Sequence, residues 1–116
     1  MIIILSAPSG CGKTTIAKEL VAQIPHLQRV VTCTTREKRE GEQEGKDYFF
    51  LSEETFRNKI NAQEFLEWAK VHEHYYGTLK NTIDRITNNG DIPLLVIEVQ
   101  GHATWKQLMP HALSIF

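Results

Sequence analysis

Ile2-Ile3-Ile4-Leu5-Ser6-Ala7-Pro8-Ser9-Gly10-Cys11-Gly12-Lys13-Thr14-Thr15 decides how this chain folds. A short apolar strand candidate runs into a glycine-bearing loop, and a helical pattern begins at its far end near Lys13. Strand, loop and helix in that order form a phosphate cradle: successive backbone N–H groups wrap the anion while the helix points its positive end at it. The residue types suit the task. Gly10 and Gly12 permit the close backbone approach, Lys13 reaches the outer phosphates as a point charge, and the Thr14 hydroxyl is placed to hold Mg²⁺. Ala7, Pro8, Ser9, Gly10, Cys11, Gly12, Lys13, Thr14 and Thr15 are therefore the candidate ATP-binding residues. Ala7 stands where the strict pattern has glycine, a methyl that the loop can tolerate. Cys11 is a filler in that loop, at a position where a helix N-terminus can lower a thiol pKa.

The surrounding composition bounds the rest. A chain of 116 residues suits one domain with one core. Thirteen basic residues against 14 acidic ones, a formal charge of −1, argue against a general binder of nucleic acid or anionic membrane, so anion recognition has to be local. Two cysteines make neither a disulfide framework nor a zinc site, and the apolar opening is too short for a signal peptide or membrane span. The expectation is a cytoplasmic protein in a reducing compartment, its oligomeric state open with a monomer favoured.

Along the chain, Ile16, Ala17, Leu20, Val21 and Ile24 recur at helical spacing until Pro25, and Leu27 to Thr32, with Val30-Val31, reads as a second buried strand. Residues 34–47 are almost devoid of apolar side chains and cannot form core. Tyr48-Phe49-Phe50-Leu51 returns to strand character, and Ser52 before Glu53 and Glu54 marks a helix start with Phe56 and Ile60 on its apolar face. Glu64 to Trp68 is a short element, Leu79 to Ile86 a helix, and Asn88-Asn89-Gly90 its end. Ile92 to Val99 is a buried strand closing on the carboxylate of Glu98; Ala103 to Met109 is helical; Ala112 to Phe116 opens a further strand and stops as if cut. His72-Glu73-His74 lacks the spacing of a metal helix and a third ligand, and reads as a loop.

The polar middle carries a second set of chemistry. Arg36 and Arg39 can offer two permanently charged forks to a phosphate monoester, with Tyr48 and Tyr76 as neutral donors. Glu67, beside Trp68, suits the adjacent N1–H and amino donors of guanine, an edge that adenine lacks.

On these residues the chain resembles the guanylate kinases from its phosphate loop to its last residue. Thr34-Thr35-Arg36, Arg39, Gly41-Glu42, Gly45, Asp47-Tyr48 and Phe50 resemble that family's GMP-binding signature, and Glu64-Phe65, Glu67-Trp68-Ala69, Tyr76-Gly77-Thr78 and Gln100-Gly101 keep its spacing. The resemblance implies that Arg36, Arg39, Tyr48 and Tyr76 hold the GMP phosphate and that Glu67 and Thr78 recognise guanine. It further implies that Thr32 and Glu98 lie in the pocket and that Lys13, Arg36 and Arg39 serve phosphoryl transfer from ATP, with Mg²⁺, to GMP. The implied fold is α/β: a P-loop, three-layer parallel-sheet core from residues 1–32 and 91–116, a small mixed α+β GMP-binding insertion over 33–80, and a connecting helix region over 81–90. Against the family pattern, Lys38 replaces a common proline, Val96 replaces an acid, and the arginine-bearing lid and last core elements do not follow Phe116. Because such arginines can be worth about 10³ to 10⁵ in rate, the expectation is a partial guanylate kinase domain of low activity. Two other readings stand beside it: a non-catalytic interaction module of the same fold, which the intact Gly12-Lys13-Thr14 disfavours, and a kinase for another small phosphorylated acceptor, which Glu67 with Thr78 disfavours.

Overall fold

The computed structural model describes residues 2–6, 13–97 and 113–115. Two compact units divide the chain: Val31–Thr82, and Met1–Val30 together with Ile83–Phe116.

The discontinuous unit is a parallel sheet. Its strands are β1 (Ile3–Ser6), β2 (Leu27–Arg29), a later strand over Ile92–Ile97 and a last one over Leu113–Ile115. The Ile92–Ile97 strand lies between β1 and β2, and the Leu113–Ile115 strand flanks β1 on its other side, every pairing parallel. Burial follows from two-residue periodicity. Ile3 and Leu5 cluster with Leu27, Leu94 and Ala17 of helix α1 (Lys13–Gln23), with Leu20 and Ile24 packed against them. Ile2 and Ile4 point the other way, and they are 3% and 0% exposed, so the opposite face is covered too. A strand buried on both faces needs the continuous apolar run that this sequence has. The predicted strand over Leu27 to Thr32 is shorter than expected. β2 stops at Arg29, Val30 adds one more bond from its N–H to the Leu94 carbonyl at 2.8 Å, and the chain leaves for the second unit at Val31.

The second unit is a mixed sheet under one helix. β3 (Cys33–Thr34) pairs parallel with β4 (Phe49–Phe50) and antiparallel with β6 (His74–Leu79), which pairs antiparallel with β5 (Phe65–Val71). Helix α2 (Glu53–Asn61) begins where the Ser52 hydroxyl accepts the Thr55 N–H at 3.1 Å, and Glu53 and Glu54 fill its first turn. Its Phe56 stacks on Phe65 with centroids 4.3 Å apart and on Tyr75 at 5.2 Å, closing a core with Cys33. The element expected over Glu64 to Trp68 is the start of the long strand β5. Its hairpin to β6 turns on His72 and Glu73, both at positive φ. Helix α3 (Lys80–Asn88) follows, ending at Gly90 with φ +83°, and the division between the units falls within it, after Thr82. The strand over Ile92–Ile97 is then β7 and that over Leu113–Ile115 is β8. The helix expected over Ala103 to Met109 lies outside the described residues.

Candidate functional site

Alternation along the strands of the mixed sheet sorts its residues onto two faces. Tyr75 and Gly77 of β6 face α2: Tyr75 belongs to the core, and a methyl on Gly77 would meet the rings of Phe65 and Phe56. Tyr76 and Thr78 therefore share the opposite face. Thr34 lies across from Tyr76, Phe50 across from Thr34, and Glu67 across from Thr78, so the register brings these residues to that same face.

Glu67 reaches it only through an irregularity. Phe65 and Glu67 are two positions apart and would share a face in a regular strand, yet Phe65 is paired with Leu79 on the α2 side and Glu67 with Thr78 on the other. Two steps along β5 match one step along β6, which is a bulge at Leu66 that re-aims everything after it. The outcome is a hydrogen bond from the Thr78 hydroxyl to Glu67 Oε2 at 3.2 Å, with Thr78 itself 1% exposed.

Arg36 is placed by two threonines. The buried Thr34 hydroxyl donates to the Tyr75 carbonyl at 3.0 Å and accepts the Arg36 N–H at 3.2 Å, while the Thr35 hydroxyl accepts the Tyr75 N–H at 2.9 Å. These bonds pin the chain to β6 just before it turns away. The Arg36 guanidinium then lies 5.2 Å from the Tyr48 ring centroid and 5.9 Å from that of Phe50, and Tyr48 sits edge-on to Tyr76 at 6.2 Å. Arg36 is 9% exposed. A charge so deep requires a partner, and Glu42 supplies it: Nη1 donates to Oε1 at 2.8 Å and Nη2 to Oε2 at 3.0 Å, while Nη1 also donates to the Glu37 carbonyl at 2.9 Å. The pairing holds the Glu42 carboxyl down at about 2, the Arg36 hydrogen bonds first and the Arg39 N–H after them. It raises the guanidinium in turn, with smaller contributions from the neighbouring Tyr76 and Tyr48.

The polar run over residues 34–47 is exposed along most of its length, yet its conformation is fixed. Its carboxylates close it on its own backbone: Glu42 Oε1 accepts the Arg39 N–H at 2.8 Å, Asp47 Oδ2 the Gln43 N–H at 2.7 Å, and Glu44 Oε1 the Phe50 N–H at 2.8 Å. Glu42, Thr34 and Thr35 are the residues that sequence reasoning left without a role. Their partners lie at separations of 6, 41 and 40 positions, which no helical or strand period marks.

Of the candidate residues, Arg36, Tyr48 and Tyr76 come together, and Glu67 and Thr78 are joined on the same sheet face. Arg39 is held by its backbone, N–H and carbonyl both bonded to Glu42, and its side chain is exposed. Thr32 is half-buried beside β3, its carbonyl accepting the Phe49 N–H at 2.8 Å. Lys13 and Thr14 open α1, and Thr15 is exposed on its first turn. Ala7, Pro8, Ser9, Gly10, Cys11, Gly12 and Glu98 lie outside the described residues. Cys33 is fully buried, and burial pushes its thiol up to about 12.

Comparison with known proteins finds relatives along the whole chain. The family model described as guanylate kinase matches residues 1–116. The guanylate kinase of Helicobacter pylori strain 26695 is 46% identical over 115 residues, covering 99% of this chain and 56% of the relative, and that of Thermotoga maritima is 42% identical over the same shares. The crystal structure of guanylate kinase from Anaplasma phagocytophilum superposes with a TM-score of 0.83 at 34% identity, covering 100% of this chain and 58% of that one. This chain spans about half the length of the curated relatives it matches. With the family model matched over residues 1–116 and relatives 46% and 42% identical across 99% of it, the chain belongs to the guanylate kinase family.

Proposed function

We propose that the chain carries the acceptor site and the donor loop of an ATP:GMP phosphotransferase, a cytoplasmic enzyme giving ADP and GDP, and that it acts as a monomer. The observation that supports this best is the shared sheet face. A nearly buried guanidinium lies over the rings of Tyr48 and Phe50 at one end, with Tyr76 edge-on to Tyr48, and a carboxylate oriented by a threonine hydroxyl stands at the other. That is a phosphate end and a base end for one mononucleotide. In this reading Arg36, Arg39, Tyr48 and Tyr76 hold the GMP phosphate, and Arg39, exposed here, turns in when the anion arrives. Glu67 and Thr78 take the guanine edge, with Thr32 and Glu98 bordering the base.

Residues Ala7 to Thr15 cradle the phosphates of ATP, with Lys13 at the outer ones. Among the described residues no group of three or more His, Cys, Asp or Glu could cage a metal ion. Thr14, in the first turn of α1, is then the protein ligand that fits Mg²⁺ delivered as its nucleotide complex. When bound, the ion would supply positive charge to offset that of the phosphates. A GMP phosphate oxygen attacks the γ-phosphorus of ATP, a new P–O bond forms, and the bond to the β-phosphate oxygen breaks to release ADP. Arg36 and Arg39 keep the acceptor oxygen in line and offset its charge.

Calorimetric titration with GMP, AMP and ATP, each alone, tests the reading. Binding of GMP and ATP with AMP excluded is expected. ATP without GMP would point to another acceptor, and neither nucleotide to an interaction module. Because the chain spans about half of its relatives, a coupled ADP-release assay measures turnover separately from binding.

A further inference from the structure

The carboxylate on Arg36 is unexpected at a site meant for an anion. A negative group bonded to the phosphate-binding guanidinium should compete with the ligand and repel it. The atoms involved say otherwise. A guanidinium has five N–H donors. Glu42 takes one from each terminal nitrogen and the Glu37 carbonyl takes the second from Nη1. The two donors outside these bonds are Nε–H and the second Nη2–H, which lie parallel along the side edge of the same plane. That edge is itself a bidentate fork for a phosphate, and the Tyr48 ring, edge-on to Tyr76, lies 5.2 Å from the same guanidinium. Glu42 Oε1 also accepts the Arg39 N–H, so a single carboxylate sets the side chain of one arginine and the backbone of the next.

Resting on the acceptor-site reading above, we propose that Glu42 is a positioning residue: by gripping Arg36 end-on, it presents the side edge of the guanidinium to the GMP phosphate and holds Arg39 in register with it. The carboxylate lends order to the arginine before the ligand arrives, and the ordering cost is removed from binding. Both partners stay charged at any working pH, so the grip is present throughout.

The test compares wild type with Glu42→Gln. The amide keeps the shape and can still accept from the Arg39 N–H, while the charge and the second Arg36 bond are lost. Calorimetry with GMP should show affinity about tenfold weaker, the scale of one charge-assisted hydrogen bond, and binding of guanosine, which has no phosphate, should be unchanged. The ¹⁵N–¹H signals of the Arg36 Nη groups should be resolved in wild type and averaged by rotation in the variant. Glu42→Asp, which keeps the charge but is one methylene short, should fall between the two and serves if the amide variant does not fold. Equal or tighter GMP binding by Glu42→Gln would overturn the positioning role and make Glu42 a competitor of the ligand. An equal loss for guanosine would overturn it as well, in favour of a general role in the sheet. If wild type itself fails to bind GMP, the acceptor-site reading falls and takes this one with it, an outcome distinct from a wild type that binds while the variant matches it.

Discussion

Gly77→Ala puts a methyl group into a space that two aromatic rings already fill. Gly77 sits mid-strand in β6, and a Cβ built there would be 2.9 Å from Phe65 Cδ1 and 3.0 Å from both Phe56 Cζ and Phe65 Cε1. Carbon atoms in ordinary contact stand about 3.5 to 4.0 Å apart, so the rings must retreat by roughly 0.5 to 1 Å. They have little room: Phe56 is 0% exposed and stacked between Phe65 and Tyr75. Overpacking of this kind costs about 1 to 3 kcal/mol. Restricting the unfolded chain returns about 0.4 to 1 kcal/mol, since Gly77, unlike Gly41, Gly45 and Gly90, is not at positive φ. The net expectation is a loss of about 1 to 2 kcal/mol, or about 0.5 to 1 M in the urea midpoint, followed by the fluorescence of Trp68, which lies 5.9 Å from the Tyr75 ring. Phe65→Leu in the same chain should remove the clash, so the double variant should be less destabilised than the sum of the two singles. A Gly77→Ala protein as stable as wild type, or strict additivity with Phe65→Leu, would refute the close-contact argument.

The Glu42 carboxyl, held at about 2 against an ordinary 4.5, stabilises the fold above pH 4.5, and the contribution is lost as pH falls towards 2. With 21% of its side chain in water, screening leaves about 1 to 2 kcal/mol. Urea midpoints of wild type and Glu42→Gln should therefore differ most near neutral pH and converge by about pH 2. His72 and Glu73, at φ 50° and 70°, occupy a two-residue turn that favours Asn-Gly. Replacing them together, His72→Asn with Glu73→Gly, should raise stability by about 1 to 2 kcal/mol, read as a higher thermal midpoint. Cys33 should resist iodoacetamide at pH 8 in native buffer and react fully in urea, as followed by peptide mapping; rapid native labelling would contradict its burial. Arg36→Lys should weaken GMP by about tenfold or more while sparing guanosine, because a lysine cannot offer two parallel forks.

Much of this was legible in the residues themselves. Strand β1, helix α1, the Ser52 cap and the buried run of β7 are local: each is written in consecutive residues whose apolar period or cap chemistry acts over one turn or one strand. Arg36, Tyr48, Tyr76, Glu67 and Thr78 could be named because their types suit a mononucleotide and their order resembles a known signature. What no local rule contained was how they meet. Glu67 faces Thr78 only because the strand bulges at Leu66, and a one-residue shift of register is invisible to a two-residue period. Arg36 is buried because Glu42, six positions on, folds back to neutralise it. An acidic residue in a polar run reads as solvated until the tertiary structure supplies its partner, since the free energy of an ion pair depends on a distance in space that chain separation does not encode.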